Sequence, residues 1–345
     1  MKTRFQTPEK AIRLTFWLFT ALCLLAAAAM PDRREMFRGL VRICTQSGQT
    51  VKSYFDVSYG GFAGTFLNVA IVCAACAAIY HLPGAKPDGV SVLAFFLTAG
   101  FCFWGTTALN IWPCFLAVTI YCLVKRTKPG TLCNAFLFST GLTPLITELL
   151  FRWPGEEWHG FTLLGCLTAL AVSLVIAFLL IPGLEHSPKV HKGFDLYSAA
   201  VPMGFIAFLL RAVLYKVLGG KLSDSVGVGL GDSFWAVSNG FCFVVFGLAL
   251  VLGLVLGGSF KRYWQLLKDS GYGADYGAKY GVGTALMNLG IYGLFIVLYY
   301  NLIGANWNAA TLGCVFCMVC CCFKGSHPVN VWPIMVGYVA ASFAA

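Results

Sequence analysis

The sequence predicts an all-α integral membrane protein built from two homologous repeats. Three observations indicate this: the composition is apolar, long uncharged runs recur, and one segment resembles another that lies 220 residues later. Of the 345 residues, 59% are hydrophobic and only 11% are charged. A soluble domain carries about 25% charged residues, so too few charges remain here to cover a globule in water.

Four runs are long enough to cross a bilayer, which takes roughly 20 apolar residues in a helix: 161–184, 199–218, 234–256 and 285–302. They predict a multi-pass protein of the cell (cytoplasmic or inner) membrane, with the lipid bilayer as its partner. The net charge of +10 comes from basic residues in loops beside these runs, as the positive-inside rule describes. It therefore does not indicate nucleic-acid binding.

The repeat aligns residues 61–113 with 281–333 without a gap. Fourteen of the 53 aligned positions are identical, and they include Asn, Trp, Pro and Gly in register, which shared membrane composition does not readily supply. Upstream, after a slip of three residues, 36–47 matches 259–270; both segments have the amphipathic spacing of helices that lie on a membrane surface. The run 14–30 matches the region near 238–253.

The first unit reads as a span at 14–30, a surface helix, a span at 62–80, two short pieces at 90–104 and 111–124, a stretch at 134–151, and two further spans. We assign residues 1–230 to the first repeat and 231–345 to the second. The run 14–30 resembles a cleavable signal peptide, but its place in the repeat favours a retained span. Only twelve residues follow Pro333, so the second repeat is expected to be incomplete, as in a fragment of a longer protein.

The orientation of the two units depends on the number of crossings between them. If the segment 90–124 as a whole crosses the membrane once, the number of crossings between the units is even and the units are parallel. If 134–151 is re-entrant instead, the units are inverted. Both arrangements occur in transporters.

The two boxes "GTTALNIWP" and "GSHPVNVWP" predict breaks in membrane helices. Proline removes a backbone donor, and glycine permits unwound backbone. In lipid, irregular backbone persists only where protein buries it or where it lines a wet cavity. Paired interruptions in two halves are the best sequence pointer to a transporter binding site. The predicted break residues are Gly105, Pro113, Gly325 and Pro333.

The candidate ligands for a small polar solute lie in and beside these boxes. An asparagine amide offers donors and an acceptor, and a tryptophan could wall the cavity. The alternatives are hydrogen bonds between helices for asparagine and interface anchoring for tryptophan. The candidate solute-binding residues are Asn110, Asn330, Trp112, Trp332, Asn68, Asn288 and His327.

Glu148 is the acidic residue that lies well inside an apolar run. Buried membrane carboxylates are expensive and often functional, so Glu148 is a candidate coupling group for a proton or a cation. The alternative is that it reaches the interface near Arg152. Arg211 could pair with Glu148, although snorkelling to the interface is favoured.

The sequence predicts a transporter or channel with no metal and no cofactor. Its fifteen cysteines lie almost entirely in apolar runs, where cysteine packs as a small apolar residue. A membrane-embedded enzyme is disfavoured because five scattered histidines form neither HExxH nor an equivalent set, and a structural or receptor-like component stays open. The oligomeric state is also open, a homo-oligomer included.

The segments "GTFLNVA", "TALMNLG", "HPVNVWPIMVGY" and "KGFDLYSAAVPMGFIA" resemble the family called domain of unknown function 1576. The resemblance covers nearly the whole chain. It implies a two-repeat multi-pass membrane protein of bacteria, mainly Gram-positive, that is usually longer than this one. It implies no substrate and no catalytic residue.

Overall fold

A computed structural model describes residues 7–47, 50, 52–221 and 234–343. Within these ranges the chain forms helices and no β-strand, which confirms the all-α prediction. Seven of the described helical segments are long and apolar enough to cross a membrane. The predicted boundary between residues 230 and 231 lies outside the described residues.

The described residues between 7 and 221, which we call the first part, contain nine α-helices. A 3₁₀ turn lies at each end of α6, and the second of them leads into α7. The two turns, α6 and α7 together form one candidate span, Pro129–Phe151. The last helix, α9, continues as a π-helix over Ala212–Val217. The nine are α1 (Pro8–Ala29), α2 (Met36–Thr45), α3 (Gly61–Ile79), α4 (Gly89–Phe101), α5 (Ile111–Lys125), α6 (Cys133–Ser139), α7 (Thr143–Phe151), α8 (Leu163–His191) and α9 (Ala200–Arg211).

The second part, residues 234–343, contains six α-helices. They are α10 (Trp235–Val255), α11 (Phe260–Leu266), α12 (Tyr276–Tyr280), α13 (Val282–Leu302), α14 (Ala309–Val319) and α15 (Pro328–Ser342). Five of them repeat the opening order of the first part: a long helix, a short amphipathic one, a long one, and two shorter ones separated by a break. The sixth, the five-residue α12, lies before the second long helix and has no counterpart in the first part.

Helices α3 and α13 lie in the interior, each against the first long helix of its own part. Arg13 of α1 donates to the carbonyl oxygens of Tyr80 and Ala85 beyond the end of α3, at 2.9 Å each. At the other end of the same pair, Asp32 accepts from the Ala63 N–H at 3.2 Å. Helices α1 and α3 are therefore antiparallel. We call the end that holds Arg13 and Ala85 end A, and the end that holds Asp32 and Ala63 end B.

Helices α10 and α13 pack closely because glycine faces α10. A Cβ atom at Gly290 would lie 2.6 Å from the Phe246 carbonyl oxygen, so any larger residue would push the helices apart. Phe234, just before α10, donates its N–H to the Trp307 carbonyl oxygen at 2.6 Å, and its ring packs on Phe62 near the start of α3. Helix α10 therefore starts at end B, whereas α1 starts at end A.

The surface helices α2 and α11 have similar outward faces. Phe37 and Val41 of α2 are exposed, as are Phe260 and Trp264 of α11. Apolar side chains on an outer face are expected for helices that lie on a membrane surface.

Helices α4 and α14 pack antiparallel at the centre. Residues 220 apart meet there: the Cys317 thiol lies 3.9 Å from the Leu97 carbonyl oxygen, and the rings of Phe96 and Phe316 stack with an interplanar angle of 11°. Near end A, a Cβ atom on Gly89 at the start of α4 would lie 3.2 Å from the Lys324 side chain, beyond the end of α14.

The core surrounds this crossing. Phe316 contacts the rings of five phenylalanines from both parts, and Phe19 and Phe241 contact each other across the α1–α10 pair. Aromatic pairs add about 0.5–1.5 kcal/mol each beyond the area they bury, so this cluster fastens the two parts together. The ring partners of Phe316 in this set are Phe19, Phe96, Phe103, Phe241 and Phe246.

Candidate functional site

The first break lies between α4 and α5, where Gly105 takes φ +98°. Asn110 folds back over the break. Its Nδ2 donates to the Gly105 carbonyl oxygen at 2.9 Å and to Thr147 Oγ1 at 3.0 Å. Its Oδ1 accepts from the Thr107 N–H at 2.8 Å. The side chain is 1% exposed, so Asn110 satisfies main-chain groups that the break leaves without helical partners.

Asn68 holds the same break from α3. Its Nδ2 donates to the carbonyl oxygens of Cys102 and Thr106 at 2.9 and 3.0 Å. Its Oδ1 accepts from the Ala108 N–H at 2.8 Å. Both amide hydrogens and the acceptor oxygen are thus engaged. A side chain with no exposed area and no spare donor acts as a bond between helices, the alternative considered for it.

The second break, between α14 and α15, repeats these bonds. Asn288 Nδ2 donates to the carbonyl oxygens of Cys322 and Ser326 at 2.8 Å each. Asn330 Nδ2 donates to the Gly325 carbonyl oxygen at 2.7 Å, and its Oδ1 accepts from the His327 N–H at 3.0 Å. Gly325 takes φ +131°. Every donor and acceptor in this set lies 220 residues after its counterpart.

A tyrosine also contacts the glycine of each break. The Gly105 N–H donates to the Tyr54 hydroxyl at 2.9 Å, and the Tyr276 hydroxyl donates to the Gly325 carbonyl oxygen at 2.8 Å. The repeat in the sequence does not mark these tyrosines, because Tyr54 lies in a loop and Tyr276 at the start of α12, both outside the gapless alignment. A shift of 222 residues relates them.

The asparagine bonds to the main chain of the two breaks differ at one donor. Position 108 is alanine and position 328 is proline, and proline has no N–H to donate. Asn288 Oδ1 therefore lacks the partner that Asn68 Oδ1 has. No donor in the described part of the chain reaches this oxygen, although Asn288 is fully buried.

His327 stands where the first break has Thr107. Its Nε2 lies 2.9 Å from the Asp269 carbonyl oxygen; because a carbonyl only accepts, this nitrogen carries the proton. The Asp269 carboxylate accepts from Lys279 Nζ at 2.5 Å and from the Tyr280 hydroxyl at 2.8 Å. Burial opposes its ionisation, but these hydrogen bonds and one from the Gly271 N–H outweigh burial and lower the pKa of Asp269 to about 2. His327 is thereby tied to a charged loop at end A.

The two breaks lie at opposite ends of the α4–α14 pair. Gly105 contacts Tyr54, next to Ser53, whose hydroxyl accepts from the N–H of Ala309 at the start of α14. The second break follows Lys324, which lies beside the start of α4. At 1.5 Å per residue the thirteen residues of α4 separate the breaks by about 20 Å. One pocket enclosed by both boxes is therefore absent from the described structure, because α4 and α14 run past each other instead of meeting tip to tip.

Threonines of the Pro129–Phe151 span complete the first break. Thr143 shares a hydrogen bond of 2.8 Å with Thr106, and Thr147 accepts from Asn110. Both are buried. Neither threonine lies in the repeated segments. The sequence pattern that marks them is a pair of threonines four residues apart, which places both hydroxyls on one helix face.

Trp112 and Trp332 lie on the outer surface, 53% and 50% exposed. The Trp112 indole donates to the Ala108 carbonyl oxygen at 2.8 Å. Half-exposed rings at these positions fit the anchoring alternative. Pro113 and Pro333 fall in the first or second turn of the helix after each break.

Glu148 forms an ion pair with Arg152 one turn later in sequence. Arg152 is 5% exposed and also donates to the Gly155 carbonyl oxygen at 3.0 Å. Arg211 is exposed and forms no ion pair with Glu148 among the described residues. Glu148 is therefore near end B and compensated by Arg152, as the interface alternative describes.

A cleft of about 640 Å³ lies between the two parts beside α4, α9 and α14. Its lining is largely apolar, and its two tyrosine hydroxyls bond to the protein. Tyr197 donates to the Cys317 carbonyl oxygen at 2.7 Å, and Tyr300 donates to Met318 Sδ at 3.2 Å.

The fifteen cysteines carry free thiols, and most are buried. In the described ranges no group of three or more histidine, cysteine or acidic residues is arranged to hold a metal ion.

Comparison with known proteins gives one match. Neither a curated protein nor a solved structure matches the chain. The family model described as protein of unknown function (DUF1576) matches residues 32–216 and 256–345. These ranges contain both breaks, the asparagines that hold them and the α4–α14 crossing. With its helical fold and seven candidate spans, the chain belongs to the DUF1576 family.

Proposed function

We propose that this protein is a membrane transporter or channel for a small polar solute, built from two duplicated units that run through the membrane in opposite directions. In this arrangement α4–α5 and α14–α15 are re-entrant hairpins that enter from opposite faces. The observation that carries the proposal is the pair of helix breaks, held by equivalent asparagines, at opposite ends of one antiparallel helix crossing.

The hairpin assignment follows from where the helices begin and end. Helix α4 begins six residues after Pro83 at end A. Gly130, which follows α5, packs so closely on the Pro83 carbonyl that no Cβ would fit, and the Cys133 thiol donates to the Ile79 carbonyl oxygen at 3.3 Å. The segment 89–130 therefore leaves end A, turns at the first break and returns to end A.

The second hairpin has the reverse direction. Helix α14 begins beside Ser53 at end B. After the break, α15 runs back along α13, where Met335 O accepts from the Tyr299 hydroxyl at 2.7 Å. With both hairpins counted as non-crossing, the seven candidate spans alternate in direction. The units are then inverted because 90–124, instead of 134–151, fails to cross.

A polar break inside a membrane protein costs free energy, which favours a functional reason for its presence. Unpaired main-chain groups cannot face lipid, and each break here requires two asparagines to satisfy them. Interrupted helices at corresponding places in inverted repeats supply solute and ion sites in many transporters. Because the two breaks lie at opposite ends of the α4–α14 pair, a solute pathway between them would have one break toward each membrane face.

Asn110 and Asn330 remain the candidate ligands, with Asn68 and Asn288 as the side chains that hold the breaks. Asn330 is the stronger candidate of the first pair, because it is partly exposed and its Nδ2 makes one hydrogen bond among the described residues where Asn110 Nδ2 makes two. Glu148 is the candidate coupling group, since its ion pair with Arg152 could exchange for a transported cation or proton.

Uptake into proteoliposomes tests the proposal, with a panel of neutral, cationic and anionic polar solutes. Wild-type protein is compared with Asn330→Ala, Asn110→Ala and the control Thr119→Val, whose hydroxyl bonds only within its own helix. We expect flux of at least one solute class, reduced at least tenfold in Asn330→Ala and unchanged in Thr119→Val. Size-exclusion profiles establish that each variant is folded. Absence of flux for every class would refute the transport proposal, and full activity of both asparagine variants would refute the site.

A further inference from the structure

The two breaks are chemically unequal, although their hydrogen-bond frames match. At the first break, five bonds from Asn68 and Asn110 reach main-chain groups of the break, and a sixth reaches Thr147. At the second break, Asn288 and Asn330 make four equivalent main-chain bonds. The missing main-chain bond is the one from position 328 to Asn288 Oδ1.

Proline is the cause of this difference. The Asn288 amide is held by its two donors in the same way as the Asn68 amide, so its oxygen faces the start of α15 as Asn68 Oδ1 faces the Ala108 N–H. Pro328 presents a ring nitrogen without hydrogen at that place. A buried acceptor without a partner raises the free energy of the state that contains it. That cost is removed in any state where the break moves and the oxygen meets water or another donor.

We propose that the second hairpin, α14–α15, is the moving gate of this protein and that the first hairpin, α4–α5, is the fixed one. The proposal rests on the hairpin arrangement proposed above, but it concerns motion and does not require that the solute be known. Pro328 weakens the second break because it cannot donate a hydrogen bond to Asn288 Oδ1. At the first break, the Ala108 N–H donates the equivalent bond to Asn68 Oδ1.

The neighbours of the two breaks agree with this assignment. The first break is covered by the Pro129–Phe151 span, whose Thr143 and Thr147 bond to it. The side chain of Asn110 is 1% exposed, whereas Asn330 is partly exposed. The second break also contacts the exposed loop before α12 through the Asp269 carbonyl oxygen, so a movement of that loop would be transmitted to His327.

Hydrogen–deuterium exchange of the intact protein in lipid nanodiscs tests the gate. Amide exchange reports local opening free energies, so peptides that cover 320–332 and 100–112 are compared. In the wild type we expect faster exchange at 320–332. Pro328→Ala supplies the missing N–H and is expected to slow exchange there by about tenfold, the effect of one hydrogen bond of about 1.4 kcal/mol. Exchange at 100–112 should not change.

The reciprocal variant Ala108→Pro removes the equivalent donor and is expected to speed exchange at 100–112 by about tenfold. Pro333→Ala is the matched control, because it removes a proline from the same helix without facing Asn288. Equal wild-type exchange at the two breaks, or equal slowing by Pro328→Ala and Pro333→Ala, would overturn the proposal. If the exchange pattern holds while no solute is transported, the gate stands and the transport proposal fails.

Discussion

Asn68→Ala should destabilise the protein more than Asn288→Ala, although the two residues occupy equivalent places. Replacement of Asn68 leaves two carbonyl oxygens and the Ala108 N–H without partners. Replacement of Asn288 leaves two carbonyl oxygens. With about 1–1.5 kcal/mol for each lost bond, the expected costs are about 3–4.5 and about 2–3 kcal/mol.

Unfolding in mixed micelles, by titration of a denaturing detergent, gives the free energy of unfolding for each variant. Thr119→Val is the control, because it removes one hydroxyl that bonds within its own helix, and we expect a change below about 1 kcal/mol. The comparison of Asn68→Ala with Asn288→Ala isolates the single bond that proline removes. Because the sites lie in different helices, their effects should be additive within about 0.5 kcal/mol.

The reasoning fails if Asn68→Ala costs no more than Thr119→Val, since the break would then be held by something other than this amide. It also fails if Asn288→Ala is the more costly of the two. In that case the unpartnered oxygen of Asn288 would have to make a stabilising bond in the folded protein.

Two further predictions concern the loops around the second break. Gly325→Ala should lower the free energy of unfolding by about 1–3 kcal/mol, because an alanine is strained at φ +131° and its Cβ would meet the Gly271 main chain. The control Gly247→Ala, at an open helical position, should leave that free energy unchanged or raise it by up to about 1 kcal/mol in the same titration. The Asp269 carboxyl has a pKa of about 2, below its ordinary 3.8, so its stabilising contribution is fully present above about pH 4 and is lost as the pH falls toward 2. The melting temperature of the wild type should therefore fall toward that of Asp269→Asn over this interval, and a constant difference between the two would contradict the assignment.

The sequence could predict the helices and the breaks, because both depend on local properties. Apolar length identifies the spans, and Gly105 with Pro113 marks an interruption without knowledge of the neighbours. The repeat also identified Asn68 and Asn288 as equivalent. What the repeat could not identify is which groups they bind, because the carbonyl oxygen of Cys102 looks like any other in sequence.

The relative placement of the breaks depends on packing that no local pattern encodes. Helices α4 and α14 pack closely because Gly100 and Gly313 let their backbones touch, and that contact joins residues more than 200 positions apart. The expectation that both boxes would meet at one pocket assumed that paired breaks point toward each other. Two helices that cross along their whole length put their far ends on opposite sides instead.

The seven alternating spans of the proposed arrangement make a prediction about topology that does not depend on transport. End A holds the basic loops around 125–128, 189–192 and 261–268, whereas end B holds 33–42 and Lys221. Because short basic loops stay in the cytoplasm, end A should be cytoplasmic. With the exposed Cys166 and Cys314 replaced, Lys128→Cys should resist a membrane-impermeant maleimide applied to intact cells, and Lys221→Cys should react. The reverse labelling would change only the orientation. Equal labelling of both positions would place 128 and 221 on one side, which seven alternating spans cannot do, and the assignment of Pro129–Phe151 as a crossing span would then be wrong.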